Sequence, residues 1–188
     1  SVSYLPSAGD QFSSLTATGR ALRPERSANR EAGVKWDARG TLALTAAAYR
    51  LDRTNTAAPD PTNPALTVQT GAARTTGVEL GATGDVTPGW QVAGGFVQQR
   101  ATYLSATSAA RAGATVPLVP RRQASLWNRV QVAPALGVGL GVVRQGRMYA
   151  AVDNAVTLPG FTRYDAAAFV GLGRGVRAQL NVENLLDA

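Results

Sequence analysis

The side chains that most often carry catalysis are missing from this chain. Its 188 residues include no histidine and no cysteine. Within the chain, that excludes serine–histidine hydrolysis, thiolate nucleophiles, disulfides and histidine-ligated zinc or iron. Carboxylates and arginines remain. Asp60 falls in a polar stretch, Asp37 and Asp85 fall at turn signals, Asp187 lies at the chain end, and Glu79 and Glu183 fall on polar strand faces. A glycosidase needs two carboxylates facing each other across a cleft, and nothing in these spacings sets up such a pair. They read as solvated charges. The expectation is no catalytic, cofactor or metal site, and no enzyme.

The arginines are the more promising chemistry. Lys+Arg number 19 against 12 Asp+Glu, a net charge of +7. Nearly all the basic residues are arginine and they are scattered, with only Arg121 and Arg122 adjacent. A nucleic-acid surface would cluster them; scattering suits a lumen or a set of loops, and no nucleic-acid partner is expected. An arginine fork can hold a carboxylate, catecholate or phosphate through paired hydrogen bonds. Arg53, Arg100, Arg111, Arg121 and Arg122 lie in or beside long polar connections. They are the candidate ligand contacts, and the same chemistry also suits lipid phosphates. Gly137-Val-Gly139-Leu-Gly141 and Gly171-Leu-Gly173-Arg-Gly175 lack the spacing of a phosphate loop, and no helix pattern follows them. The first reads as small lumen-facing residues of a strand and the second as a turn.

The elements that must position these side chains have a period of two. Val176, Ala178, Leu180 and Val182 alternate with Arg177, Gln179, Asn181 and Glu183. Ala32, Val34 and Trp36 alternate with Glu31, Lys35 and Asp37, and the same pattern runs through 75–85, 123–132 and 137–145. One apolar face and one polar or small face is the signature of a strand. The segment Thr41–Asp52 breaks the pattern: Leu42 and Leu44 share one parity, Tyr49 and Leu51 the other. A bulge near Ala46–Ala48, or alanines tolerated on both faces, would each account for it. No apolar run reaches the ~18 residues of a membrane helix, which leaves barrel strands open.

Connections alternate in length. Asp37–Gly40, Val86–Gly89, Ala133–Leu136 and Gly171–Gly175 are short; between them lie long polar stretches over Pro6–Arg26, Arg53–Pro64, Leu104–Pro120 and Arg147–Gly160. An outer-membrane barrel has short periplasmic turns and long extracellular loops. The fold expected is therefore all-β, an antiparallel transmembrane β-barrel present in part, with about nine strands from Ser1–Leu5 to Val176–Leu185. Trp36 lies just before one short turn and Trp90 just after another, both on the apolar parity. That is the place of a membrane-interface girdle facing the periplasm. A passive porin shares these features. A soluble carbohydrate-binding β-sandwich has no reason to alternate its connections.

Several stretches resemble, in order, the TonB-dependent siderophore receptors. They are Leu22-Arg-Pro-Glu25 with Asn29–Asp37, Ala48–Asn55, Gly71–Leu80, Thr87-Pro-Gly-Trp90, Val119–Trp127, Leu158–Asp165 and Leu180–Asp187. Gln123 departs from the pattern, where histidine is frequent. The resemblance implies a bacterial outer-membrane receptor that imports a ferric siderophore or similar chelate. It implies a barrel of ~22 strands around an N-terminal plug pulled by the TonB complex. Residues 1–188 would then be the C-terminal portion of the barrel, without plug, TonB box, export signal or final strand. Outer-membrane lipid is a further partner. Open strand edges cannot persist in lipid. The 188-residue piece alone, reconstituted in liposomes, is expected to take up no ligand; measured uptake would refute this.

Overall fold

The computed structural model describes residues 2–3, 24–60, 62–63 and 65–186. Most of the connection expected over 6–26 lies outside the described residues, as do Leu22 and Asp187. The strands are β1 (Val2–Ser3), β2 (Arg26–Ala38), β3 (Leu42–Pro59), β4 (Thr67–Thr87), β5 (Trp90–Tyr103), β6 (Arg122–Ala133), β7 (Leu136–Gln145), β8 (Met148–Tyr149), β9 (Thr157–Leu158), β10 (Phe161–Gly173) and β11 (Val176–Val182). Nine of them form one sheet in the order β1-β2-β3-β4-β5-β6-β7-β10-β11, while β8 and β9 form a small hairpin between β7 and β10. Every pairing is antiparallel. The order follows the chain, as hairpin connections require. β1 and β11 end the sheet and do not pair with each other, so the sheet is a section of barrel wall.

Residues directly opposite in an antiparallel ladder share a face, so the register sorts the side chains. One face carries Val34 and Trp36 of β2, Leu44 of β3, Leu80 of β4, Phe96 of β5, Leu126 of β6, Leu140 of β7 and Leu180 of β11. It has no protein partner among the described residues: Trp36 is 63% exposed, Leu140 62% and Leu180 67%. From Leu42 to Arg50, and from Leu136 to Arg144, this apolar face runs about nine residues before a charge appears, the ~9–11 that a tilted strand needs to cross a bilayer. The other face carries Glu31, Lys35, Glu79, Gln99, Gln123, Arg129 and Asp165.

The alanine strand is settled by the register. Pairing of β2 with β3 is unbroken from Ala38↔Leu42 to Arg26↔Thr54. There is no bulge at Ala46–Ala48; alanines occupy both faces, and Tyr49 and Leu51 point to the polar side. The shift comes later, between Arg53 and Thr56. There Asn55 takes φ 58 and Gly71 φ 84. A side chain at Gly71 would also collide with the Ser105 hydroxyl, so this corner requires glycine.

Arg53–Pro64, expected as a loop, is mostly strand: β3 continues to Pro59, and its partner β4 begins at Thr67. β3 has 18 residues and β4 has 21, about twice what a crossing needs, so the hairpin extends well past the apolar band. At its tip the Asp60 carboxylate accepts bonds from the Thr62 hydroxyl at 2.6 Å and the Thr62 N–H at 2.8 Å. These bonds hold the Asp60 carboxyl below the usual carboxylate range. Their contribution is present above the unfolded pKa of about 3.9 and is lost as pH falls through the lowered one.

Glycines concentrate on the polar face: Gly77, Gly81, Gly95, Gly137, Gly139 and Gly141 all take its parity. Large rings lie across some of them. A Cβ at Gly139 or Gly141 would sit 2.5 Å from the Trp127 indole, and one at Gly77 would sit 2.7 Å from Tyr49. The Gly137–Gly141 run is therefore a small-residue floor, as the sequence suggests. The two outward tryptophans sit beside short turns at the same end: Trp36 pairs with Leu44, and Trp90 opens β5. The Trp90 indole N–H donates to Asn128 Oδ1 at 3.3 Å, satisfying a polar residue on the apolar face. In single-tryptophan variants in brominated-lipid vesicles, Trp36 and Trp90 are expected to be quenched and Trp127 to be spared. Equal quenching of Trp127 would reverse the assignment of the faces.

Candidate functional site

The buried apolar cluster does not lie between the strands. It joins Ala73 and Tyr103 to Ala109, Ala110 and Val152, with Val68, Ala114 and Val116 packed against it. These residues come from the upper ends of β4 and β5 and from two long connections, 104–121 and 146–160. The first connection folds back on its own strand. Tyr103 N–H bonds Ala114 C=O at 2.9 Å, Val116 N–H bonds Ala101 C=O at 3.0 Å, and Thr102 bridges to Thr115. Thr107 caps its own turn through Ala109 N–H and Ala110 N–H at 3.2 and 3.1 Å.

The second connection is locked to the first by one amide. Asn154 Oδ1 accepts from Thr115 N–H at 2.8 Å, and Asn154 Nδ2 donates to Thr115 C=O at 2.8 Å. Leu118 N–H adds a bond to Tyr149 C=O at 2.8 Å. Asn154 takes φ 57, a conformation asparagine tolerates better than most residues. The two loops form one canopy over one end of the wall.

Beneath it lies a polar recess of about 610 Å³, lined by Glu31, Tyr49, Glu79, Gln99, Pro120 and Gln123 among others. The Tyr49 hydroxyl donates to Gln99 Oε1 at 2.9 Å. Lower on the same face, Arg129 stacks on Phe169 with 4.6 Å to the ring centroid, and Arg163 bonds Asp165 at 3.0 Å. Donors, acceptors and cations on a lumenal face can bind a polar solute; nothing here resembles a nucleophile with its base. Among the described residues no cluster of carboxylates is placed to hold a metal ion.

Of the five arginines singled out by sequence, Arg100, Arg121 and Arg122 line one recess of about 800 Å³ together with Arg144 and Arg147, while Arg53 and Arg111 lie apart from it. Arg53 shares the lumenal parity and is held by Glu25 through its Nε at 2.6 Å. Arg111 lies exposed in the first loop and Arg121 exposed just before β6. Arg100 lies opposite Thr76, and Arg122 opposite Gln98, on the outward face. Sequence reasoning missed Tyr49, Gln99 and Asn154. Parity could have found the first two; the third depends on how two loops meet. Asn154→Ala removes both halves of the amide clamp, each bond contributing about 1 kcal/mol. It is expected to speed hydrogen exchange at the Thr115 amide by about thirtyfold, the equivalent of about 2 kcal/mol; unchanged exchange would mean that the loops are held otherwise.

Comparison with known proteins gives this geometry a family. A family model described as "TonB dependent receptor-like, beta-barrel" matches residues 1–185. The catecholate siderophore receptor Fiu of Escherichia coli is 33% identical over 198 residues, covering 99% of this chain and 26% of its own length. The probable TonB-dependent siderophore receptor PiuA of Acinetobacter baumannii is 32% identical over 191 residues, covering 95% and 25%. The crystal structure of Fiu in its closed form superposes over 100% of this chain and 28% of its own, with a TM-score of 0.81 at 32% identity. The crystal structure of PiuA also gives 0.81, at 31% identity over 93% and 26%. The chain thus spans about a quarter of the length of the curated relatives it matches. With an apolar outer face, a polar lumenal face and this likeness along the whole described wall, the chain belongs to the TonB-dependent receptor family and forms part of its outer-membrane β-barrel.

Proposed function

We propose that the protein containing this chain is a receptor that imports a ferric siderophore through the outer membrane, driven by TonB. The observation that carries this reading is the match to Fiu, a ferric-catecholate import receptor, over 100% of the chain at a TM-score of 0.81. The likeness takes in the loop canopy as well as the wall. In this reading the chain is the C-terminal portion of the barrel, and a plug domain and a final strand belong to the rest of the protein. The polar lumenal face suits such a filling: Arg129 Nε and Arg163 Nε are shielded and have no hydrogen-bond partner among the described residues.

The canopy and the recess below it would receive the chelate, with TonB acting on the distant plug. Arg111 and Arg121 are the contacts we assign, because they are exposed at the canopy and siderophore chelates are commonly anionic. Arg53 would support the site through Glu25. Trp36 and Trp90 would mark the periplasmic interface. The work of the receptor is binding and passage, and no bond of the ligand need be made or broken by this chain.

Radiolabelled iron uptake from a ferric catecholate, in cells carrying the full protein, tests this. Uptake is expected to stop when TonB is removed, and Arg111→Gln with Arg121→Gln is expected to weaken chelate binding about tenfold, or 1.4 kcal/mol. Solute entry that persists without TonB would overturn the reading in favour of a passive porin.

A further inference from the structure

The lumenal face carries two recesses of opposite charge. Among the described residues, the upper one, beneath the canopy, is lined by Glu31 and Glu79 and by no lysine or arginine. A second recess of about 630 Å³ lies at the other end of the wall, beside the short turns. Arg129 and Arg177 line it with Gln131, Phe169 and Gln179, and no described aspartate or glutamate does. Arg129 stands six residues beyond Gln123 on β6, about 20 Å at ~3.3 Å per residue. That is too far for one small chelate to touch both.

Glycines hollow the lower recess. Gln131, Gly137, Phe169 and Gln179 stand in one row across β6, β7, β10 and β11. A Cβ on Gly137 would sit 3.3 Å from Gln131 Oε1 and 3.6 Å from the Phe169 Cβ, so the glycine keeps the space between them open. Gly171 lies opposite Arg177 and extends the floor one step lower. Its N–H bonds Ala135 C=O at 2.8 Å, which pins the short turn against β10 as the lower rim. Above this floor the Arg129 guanidinium lies on the Phe169 ring, and Nη1 donates to Gln91 Oε1 at 3.3 Å. Stacking leaves the rest of the fork free to donate in its own plane. No described carboxylate lies within 4.0 Å of Arg129 or Arg177. Asp165 and Glu183 stand one step higher, and Arg163 approaches both, at 3.0 and 4.0 Å. Asp85 stands in the row of Arg129, with Gln91 of β5 between them.

For an anion this arrangement has a direction. Carboxylates above and uncompensated guanidinium groups below lower the energy of a negative solute as it moves toward the short turns. We propose that Arg129 and Arg177 form an exit-side subsite that takes the anionic oxygens of the chelate on its way to the periplasm. The subsite rests on the import reading above. The plug of that reading fills the lumen at rest, and the subsite acts once TonB draws the plug aside. The two arginines supply charge-assisted hydrogen bonds, and the glycine floor supplies the room. The subsite governs passage and leaves affinity at the distant canopy unchanged.

The test uses cells carrying the full protein and a radiolabelled ferric catecholate. R129Q/R177Q is expected to lower the saturated, TonB-driven uptake rate about fivefold, with chelate binding to TonB-deficient cells unchanged. R129K/R177K is expected to keep at least half of the parental rate, because the recess supplies charge. A parental rate in R129Q/R177Q would overturn the proposal, as would an equal loss of binding to TonB-deficient cells. So would a lysine pair as slow as the glutamine pair. Entry of a bulky antibiotic into TonB-deficient cells carrying R129Q/R177Q would also overturn it, by showing that these arginines hold the plug and not the solute. If the double variant fails to reach the membrane, R177Q alone is expected to slow uptake about twofold, and a parental rate there would be the overturning result. Parental uptake that persists without TonB is a different failure: the import reading falls, and the subsite with it.

Discussion

A backbone that crosses hydrocarbon must bond all its N–H and C=O groups within the protein, because each one left unpaired there costs several kcal/mol. That constraint forces the long antiparallel ladder, and the ladder forces the rest. Its two-residue period commits each strand to two faces, one toward lipid and one toward the lumen. Leu80 and Glu79 are neighbours in sequence and belong to different solvents. Even the exception follows the rule: Asn128 sits on the lipid side and is tolerated with the Trp90 indole as its partner.

Packing is correspondingly displaced. A soluble domain buries its apolar side chains between layers; here the wall strands present theirs to the membrane, and the compact cluster of Tyr103, Ala109, Ala110 and Val152 holds the loops. Two kinds of stability therefore coexist. The wall is held by hydrogen bonds in a medium that offers no competitor. The canopy is held by ordinary burial and by part-buried side-chain clamps. In the proposed reading, recognition would fall to the loops and the scaffold to the wall.

Much of this was legible in sequence because a period of two leaves a plain trace. The alternation over Val176–Val182, the short turns and the two tryptophans beside them needed no coordinates. Alanine carries almost no preference between faces, so Thr41–Asp52 could not be resolved until the register through Ala46–Ala48 was known. The stretch Arg53–Pro64 read as a loop because its polar residues look the same whether or not they pair; the bulge at Asn55 and Gly71 lets the ladder continue. For the candidate arginines the sequence shows only nearness to connections. Whether a side chain near a strand end faces lumen or lipid turns on one residue of register, and that separates Arg53 from Arg100. Contacts between loops, such as Asn154 with Thr115, leave no local signal.

The uneven distribution of glycine has a geometric consequence. Residues such as Gly95, Gly137, Gly139 and Gly141 thin the lumenal side of the wall, while leucine, valine and tryptophan thicken the other. Trp127 and Tyr49 lie flat across a neighbouring strand's glycines and so occupy little depth. A slab that is wider outside than inside bends toward its narrow face, as a voussoir bends an arch. Curvature is thus written into each strand as a difference in side-chain volume, and the wall carries its own radius before any ring is complete.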